Sequence, residues 1–284
     1  MKTNRKLKDT VFTTLFNDPD LLRELYCALE DVNLPPDTPV SINTLKNVLF
    51  MGKYNDISFE IGEKLIVLLE HQSTINPNMA LRMLMYIADV YEVIVEGKNI
   101  YSGSKITIPW PEFYVLYDGK EHFPEKAILR LSDLYEKPIS LGLPEKLSPL
   151  LDLEVRVINI NDGINSEIVN RCKKLQEYST FIAKVRELTR TYKDLKKAIK
   201  EAIKYCHKHD ILKEFLEIHG RRVLSMLYTE WNMDDAMAVR YEEGREQGRK
   251  ELQNIVAQKD AVIADIKAEN ERLRLQVAEQ TNKQ

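Results

Sequence analysis

Leu7, Val11, Leu15 and Phe16 recur at helical spacing and predict a helix over residues 5–16. Asn17-Asp18-Pro19 restarts the chain, with Asp18 suited to an N-cap and Pro19 to the first helical position. A second helix follows through Leu21, Leu22, Leu25, Tyr26 and Leu29, and Pro35, Pro36 and Pro39 stiffen the loop after it. From Leu45 the pattern changes. Val48-Leu49-Phe50 reads as a strand, and Ile57, Phe59 and Ile61 alternate with Asp56, Ser58 and Glu60 as a half-buried strand does. Gly62-Glu63-Lys64 turns the chain into Leu65-Ile66-Val67-Leu68-Leu69, a continuous apolar run of the kind a central strand carries. That run ends in Glu70-His71-Gln72.

Asn76-Pro77 opens a strong helix, with Leu81, Leu84, Met85, Ala88, Tyr91 and Val95 as the expected apolar face. Arg82, Tyr86 and Asp89 fall on a different face. Further strands are expected at residues 113–117 and 155–160, with a weaker signal at 127–131. Strands, a crossover helix and more strands give an α/β chain. Beyond Asn165 every segment reads as helix, and from Tyr241 the composition shifts to Glu, Gln, Arg, Lys and Ala.

In that last stretch Val256, Ile263, Asn270 and Val277 take the a positions of a heptad, and Leu252, Lys259, Ile266 and Leu273 the d positions. A seam with one central Asn favours a parallel two-stranded coiled coil, and hence a homodimer. A single helix packed on its own domain, or partly disordered, is the alternative.

Net charge refines this picture only locally. The chain of 284 residues carries −3 overall, so it has no global signature of nucleic-acid binding. Between Arg171 and Lys213, however, there are 13 Lys/Arg against five Asp/Glu, a local excess of +8. Arg186, Arg190, Lys193, Lys196, Lys197 and Lys200 recur at spacings that allow a stripe able to neutralise DNA backbone phosphates, or an ordinary solvated face. Cys27, Cys172 and Cys206 are too few and odd in number for a disulfide framework and read as reduced thiols. No apolar run is long enough to span a bilayer, and no secretory h-region follows Met1, so a cytoplasmic protein without membrane contact is expected.

The chemistry concentrates in the hairpin. If Gly62, Glu63 and Lys64 form its loop, Ile61 faces Leu65, and counting back places Asp56 opposite Glu70. Opposed residues project from one face of a sheet with Cα atoms roughly 5 Å apart, and Gln72 shares that face. Two carboxylates so close repel each other, and a hard divalent cation such as Mg²⁺ relieves the repulsion. The main-chain carbonyl of His71 offers a further oxygen, while its side chain points the other way, toward packing or hydrogen bonding. A cation there polarises a phosphodiester and acidifies an attacking water, which Gln72 would orient. The bland alternative is that the acidic residues are merely solvated. It is weakened by the five apolar residues before Glu70, because a charge at the mouth of a buried strand needs a partner.

These residues resemble the recombination-promoting nuclease family, a transposase-labelled branch of the PD-(D/E)XK superfamily. The likeness runs through Lys8-Asp9-Thr10-Val11-Phe12, Leu15-Phe16, Asn55-Asp56-Ile57-Ser58, Leu69-Glu70-His71-Gln72-Ser73, Asn76-Pro77, Met79, Arg82-Met83-Leu84 and Tyr86. It continues in Pro111, Phe113, Val115-Leu116-Tyr117-Asp118-Gly119, Thr229-Glu230-Trp231 and Glu243-Gly244-Arg245-Glu246-Gln247-Gly248-Arg249. The resemblance implies a restriction-endonuclease-like core, a central mixed sheet flanked by helices, that cuts DNA with Mg²⁺ or another divalent cation. Asp56 and Glu70 would hold the cation, and the signature lysine falls on Gln72. Since glutamine brings no positive charge, Arg82 or Lys53 is a candidate to compensate. Arg82 would hold the scissile phosphate and Tyr86 hydrogen-bond beside it. Glu24, or nearly as well Glu30, would add an acidic group from the first helices. The expected division is a nuclease core over 1–164, a helical region over 165–240 that is a candidate for contacting DNA, and a coiled-coil tail over 241–284. A catalytically idle DNA-binding or assembly protein that keeps the fold is the competing expectation, and a helical scaffold acting through its coiled coil is a third.

Overall fold

The computed structural model describes residues 10–42, 57–136 and 148–281. The chain divides into two compact units, Met1–Glu230 and Trp231–Gln284. The first opens with α1 (Val11–Leu15) and α2 (Pro19–Glu30). Asp18 caps α2 by accepting hydrogen bonds from the amides of Asp20 and Leu21 at 2.9 and 3.0 Å, and Pro19 supplies the fixed φ of the first turn. The start of the helix expected over 5–16 lies outside the described residues, as does the strand expected at Val48-Leu49-Phe50.

Six strands form one mixed sheet in the order β1-β2-β3-β4-β6-β5. They are β1 (Val40–Ile42), β2 (Ile57–Ile61), β3 (Leu65–Gln72), β4 (Trp110–Tyr117), β5 (Lys126–Arg130) and β6 (Glu154–Asn159). The hairpin has the register expected from its turn: Ile61 faces Leu65 and Ile57 faces Leu69. Gly62 and Glu63 both adopt positive φ, which lets three residues reverse the chain. Parallel pairing of β3 with β4 needs a crossover, supplied by α3 (Met79–Ile94), and β4 pairs parallel with β6. The ends of β3, β4 and β6, at Gln72, Tyr117 and Asn159, therefore line up along one edge. β1 was not expected. It is three residues long and follows directly on Pro39, a residue confined to edges and strand starts because it cannot donate to a ladder.

Alternation along β3 sends Ile66 and Leu68 to one face, where they pack with Met79, Met83, Tyr86 and Ile87 of α3 and with Phe113, Val115, Val155 and Val157 of the neighbouring strands. This corrects the expected apolar face of α3. Leu81, Met85 and Ala88 are exposed, while Met79, Ala80, Met83, Tyr86, Ile87 and Val90 are buried. The other face of the sheet meets α1 through Phe12, α2 through Glu30 and α5 (Lys173–Tyr192) through Tyr178. The short α4 (Ser166–Val169) precedes α5, and α6 (Leu195–Lys208) buries Ala198, Ile199, Ala202 and Cys206. Burial pushes the Cys172 and Cys206 thiols up to about 12, which keeps them protonated and unreactive. The last element, α7, runs Lys213–Thr281. Within the second unit its residues Leu252, Ile255, Val256, Val262, Ile263 and Ile266 are exposed. Among the described residues no helix is long and apolar enough to cross a membrane.

Candidate active site

The last three residues of β3 alternate across the sheet, so Glu70 and Gln72 face α3 while His71 faces α5. Glu70 is 4% exposed. A carboxylate that deep is tolerated only with a charged partner. Arg82, one turn into α3, brings Nη2 to 3.3 Å from Glu70 Oε1. The same guanidinium donates to the Tyr86 hydroxyl from Nη2 at 2.7 Å and from Nε at 3.1 Å, and its carbon lies 5.6 Å from the Tyr86 ring centroid. Tyr86 is itself buried, so it fixes one edge of the guanidinium. The Arg82 side chain remains 34% exposed.

Gln72 holds the turn between β3 and α3. Its amide nitrogen lies 3.0 Å from Met79 Sδ, and its amide oxygen accepts from the Asn76 main chain at 3.3 Å. Met79 Sδ is also 3.2 Å from Arg82 Nη1, so one buried thioether sits between the glutamine and the arginine. The result is a buried carboxylate, a half-exposed guanidinium, a phenol and an amide within two turns of helix and one strand end.

Asp56 lies outside the described residues, as does Lys53. Glu24 and Glu30 are described, and the structure does not bring either to Glu70. Glu24 Oε1 accepts from the main-chain nitrogen of Lys173 at 2.9 Å, anchoring the start of α5. Glu30 accepts from Tyr114 Oη at 2.6 Å and pairs with Arg156. Tyr114 lies between Phe113 and Val115, which face α3, so Glu30 is on the opposite side of the sheet. Both acids sit on α2, on the α5 side of the sheet, which separates them from Glu70 by the thickness of the sheet.

On that second face His71 stacks on Phe12 with ring centroids 4.8 Å apart and planes 6° from parallel, and Tyr178 meets it edge-on at 5.6 Å. His71 Nε2 is 3.1 Å from Asp118 Oδ2 and 3.1 Å from the Tyr178 hydroxyl, which is 3.3 Å from the same Asp118 oxygen. Burial alone would raise the Asp118 carboxyl. His71, Arg186 and Tyr178 outweigh it and hold the group below the ordinary carboxylate range. Burial pushes the Tyr178 phenol well up, so it stays a donor. An ionised Asp118 then accepts from both neighbours, which places the His71 proton on Nε2. Arg186 turns inward to the Asp118 main-chain oxygen and, at 2.6 Å, to Asn161 Oδ1. It therefore leaves the outward basic stripe in which the sequence placed it. Arg190, Lys193, Lys196, Lys197 and Lys200 stay exposed, with Lys196 and Lys197 lying 4.6 and 4.5 Å from the ring centroids of Tyr228 and Tyr192.

Sequence reasoning missed Asp118, Tyr178 and Met79 as members of this region. Asp118-Gly119 directly after an apolar strand was the available signal, because β4 runs parallel to β3 and ends level with it.

Residues 47–210 match the family model described as "Putative transposase, YhgA-like". The chain belongs to this family, a PD-(D/E)XK-like transposase family. It matches no curated protein and no solved structure.

Proposed function

We propose that this chain is a DNA endonuclease dependent on Mg²⁺ or another divalent cation, with Glu70 at its centre. The observation that carries the reading is the buried Glu70 carboxylate at the end of β3, flanked on the same face by Gln72 and paired with Arg82, whose side chain is 34% exposed. In this reading the sheet with its β2–β3 hairpin and α3 crossover is a restriction-endonuclease-like core. Asp56 supplies the second carboxylate. It directly precedes Ile57, whose partner across the ladder is Leu69, the residue before Glu70.

The donor set suits a hard cation: the carboxylates of Asp56 and Glu70 and the main-chain carbonyl of His71 are all oxygens. When bound, such a cation polarises the phosphodiester and lowers the pKa of the attacking water. Arg82, held by Tyr86, faces the scissile phosphate as a positive charge. The amide of Gln72 orients the attacking water. The exposed lysines and Arg190 of α5 and α6 neutralise backbone phosphates without reading sequence. The exposed apolar positions of α7 support a parallel dimer through the heptad seam centred on Asn270, whose two cores would each cut one strand.

The test is nicking of supercoiled plasmid in Mg²⁺, with binding measured separately in Ca²⁺. Cleavage lost in Asp56→Ala and Glu70→Ala with binding retained supports the enzyme. One feature favours a second reading, an idle DNA-binding protein: the signature lysine is Gln72, and the Glu70 carboxylate already has Arg82 as a partner. Binding without cleavage, indifferent to both substitutions, establishes that reading instead.

A further inference from the structure

Catalytic constellations tolerate little play, roughly 0.5 Å, before rates fall. The end of β3 is a place where play is expected. There Glu70, His71 and Gln72 take Val115, Leu116 and Tyr117 of β4 as Cα partners. The last residues of a strand fray more readily than its middle.

Against that background the treatment of His71 is unusual. Its ring is closed in on every side the structure describes: Phe12 from α1 on the flat face, Tyr178 from α5 on the edge, and Asp118 from the end of β4 on Nε2. The His71 and Asp118 side chains are only 10% and 8% exposed. Asp118 is tied in turn by its own amide to the Gln72 main-chain oxygen at 3.1 Å, and by Arg186 and Tyr178 on its other atoms. Two helices and the end of β4 thus converge on the one residue that separates Glu70 from Gln72.

We propose that His71 is a positioning residue: its ring, clamped by Asp118, Tyr178 and Phe12, fixes the backbone of β3 so that Glu70 and the His71 carbonyl meet a divalent cation on the opposite face. This rests on the reading of Glu70 as a cation ligand. The mechanism is mechanical. Adjacent strand residues share a rigid peptide plane, so locking the ring behind the sheet sets the direction of the carboxylate in front of it. Partners of this kind around metal ligands are worth about 10- to 100-fold in affinity or activity.

The experiment compares wild type with Asp118→Asn, Tyr178→Phe and Phe12→Leu. Three quantities are measured: Mn²⁺ affinity by titration calorimetry, melting temperature without metal, and kcat and KM for plasmid nicking well below the melting temperature. Asp118→Asn keeps the shape of the side chain and removes its charge. It is expected to weaken Mn²⁺ binding and lower kcat by about 10-fold or more, with KM for DNA unchanged. Tyr178→Phe and Phe12→Leu should shift both in the same direction by less. A lower melting temperature with unaltered Mn²⁺ affinity and kcat means that the clamp only stabilises the fold and overturns the proposal. If Asp118→Asn does not fold, the other two variants decide in the same way. Wild-type protein that takes up no Mn²⁺ overturns the Glu70 reading, and this proposal with it. Wild type that binds while all three variants bind equally well overturns this proposal alone.

Discussion

The two faces of β3 carry the same chemical parts in opposite states. Toward α3, a carboxylate, an arginine and a tyrosine meet as Glu70, Arg82 and Tyr86, and the arginine is 34% exposed. Toward α5, a carboxylate, an arginine and a tyrosine meet as Asp118, Arg186 and Tyr178 around His71; both carboxylates are buried, and here the arginine is only 19% exposed. An enclosed network directs its hydrogen bonds to other protein groups and rigidifies the region it joins. A network with a partly exposed arginine stays in contact with solvent. The difference separates a side of the sheet whose arginine is closed in from a side whose arginine reaches solvent, the side on which the proposed chemistry is placed.

Stability should expose this contrast most strongly. Asp118→Ala leaves His71 and Arg186 facing a buried void without their anion, and is expected to cost about 3–5 kcal/mol. Glu70→Ala releases an arginine that can still reach water, and should cost about 1 kcal/mol or less. Urea unfolding of both variants checks the pair, and equal losses would erase the distinction.

Activity should then run the other way for the arginines. Arg82→Lys keeps the charge but loses the planar fork that bridges Glu70 and Tyr86, so nicking is expected to fall about 10- to 100-fold with an unchanged urea midpoint. Unchanged nicking would mean that a point charge suffices there.

Gly119 probes the seam between the two faces. A Cβ at this position would lie 2.1 Å from the Ser73 main-chain oxygen and 2.3 Å from Tyr117 Oη. Backbone cannot swing aside as a flexible side chain can, so Gly119→Ala is expected to destabilise by about 1–3 kcal/mol. A melting temperature equal to wild type would show that the β3–β4 edge yields.

The smallest expected effect is the pH dependence. Asp118 is held below the ordinary carboxylate value of about 3.9, so its contribution is complete above that pH and is lost as pH falls through the folded-state value. Asp118→Asn has no proton to take up at that position. The stability gap between wild type and this variant should therefore narrow on acidification below about pH 4, and a constant gap from neutral to acid would contradict the assignment.

How far this was legible from the sequence depends on range. The hairpin register was readable because everything that sets it is local: a glycine turn, an alternating strand and an unbroken apolar run. The α2 cap and the central place of β3 followed for the same reason. The face of α3 was misread because the helix is apolar nearly all round, with Leu81, Met83, Met85 and Ile87 offering two rival stripes. Only docking on the sheet chose Met83 and Ile87. That choice also brought Tyr86 into the core and Arg82 to the rim, beside Glu70. The network behind the sheet was out of reach, since His71 and Tyr178 are 107 positions apart and Asp118 and Arg186 are 68 apart. No periodicity links them, and Arg186 read as one more member of a basic run. Glu24 and Glu30 were candidates by type alone, and the side of the sheet on which α2 packs removed them from Glu70.

The central claim is that the charge of Glu70 does the chemical work on its face of the sheet. Glu70→Gln keeps the size of the side chain and an acceptor for Arg82, and removes only the negative charge. Single-turnover nicking of supercoiled plasmid in Mg²⁺ is the direct measurement. Roughly 1,000-fold slower cleavage in Glu70→Gln, at unchanged DNA binding in Ca²⁺, together with complete loss of wild-type cleavage in EDTA, is the predicted result. Wild-type cleavage that survives EDTA, or a Glu70→Gln variant that cuts at the wild-type rate, would contradict the account.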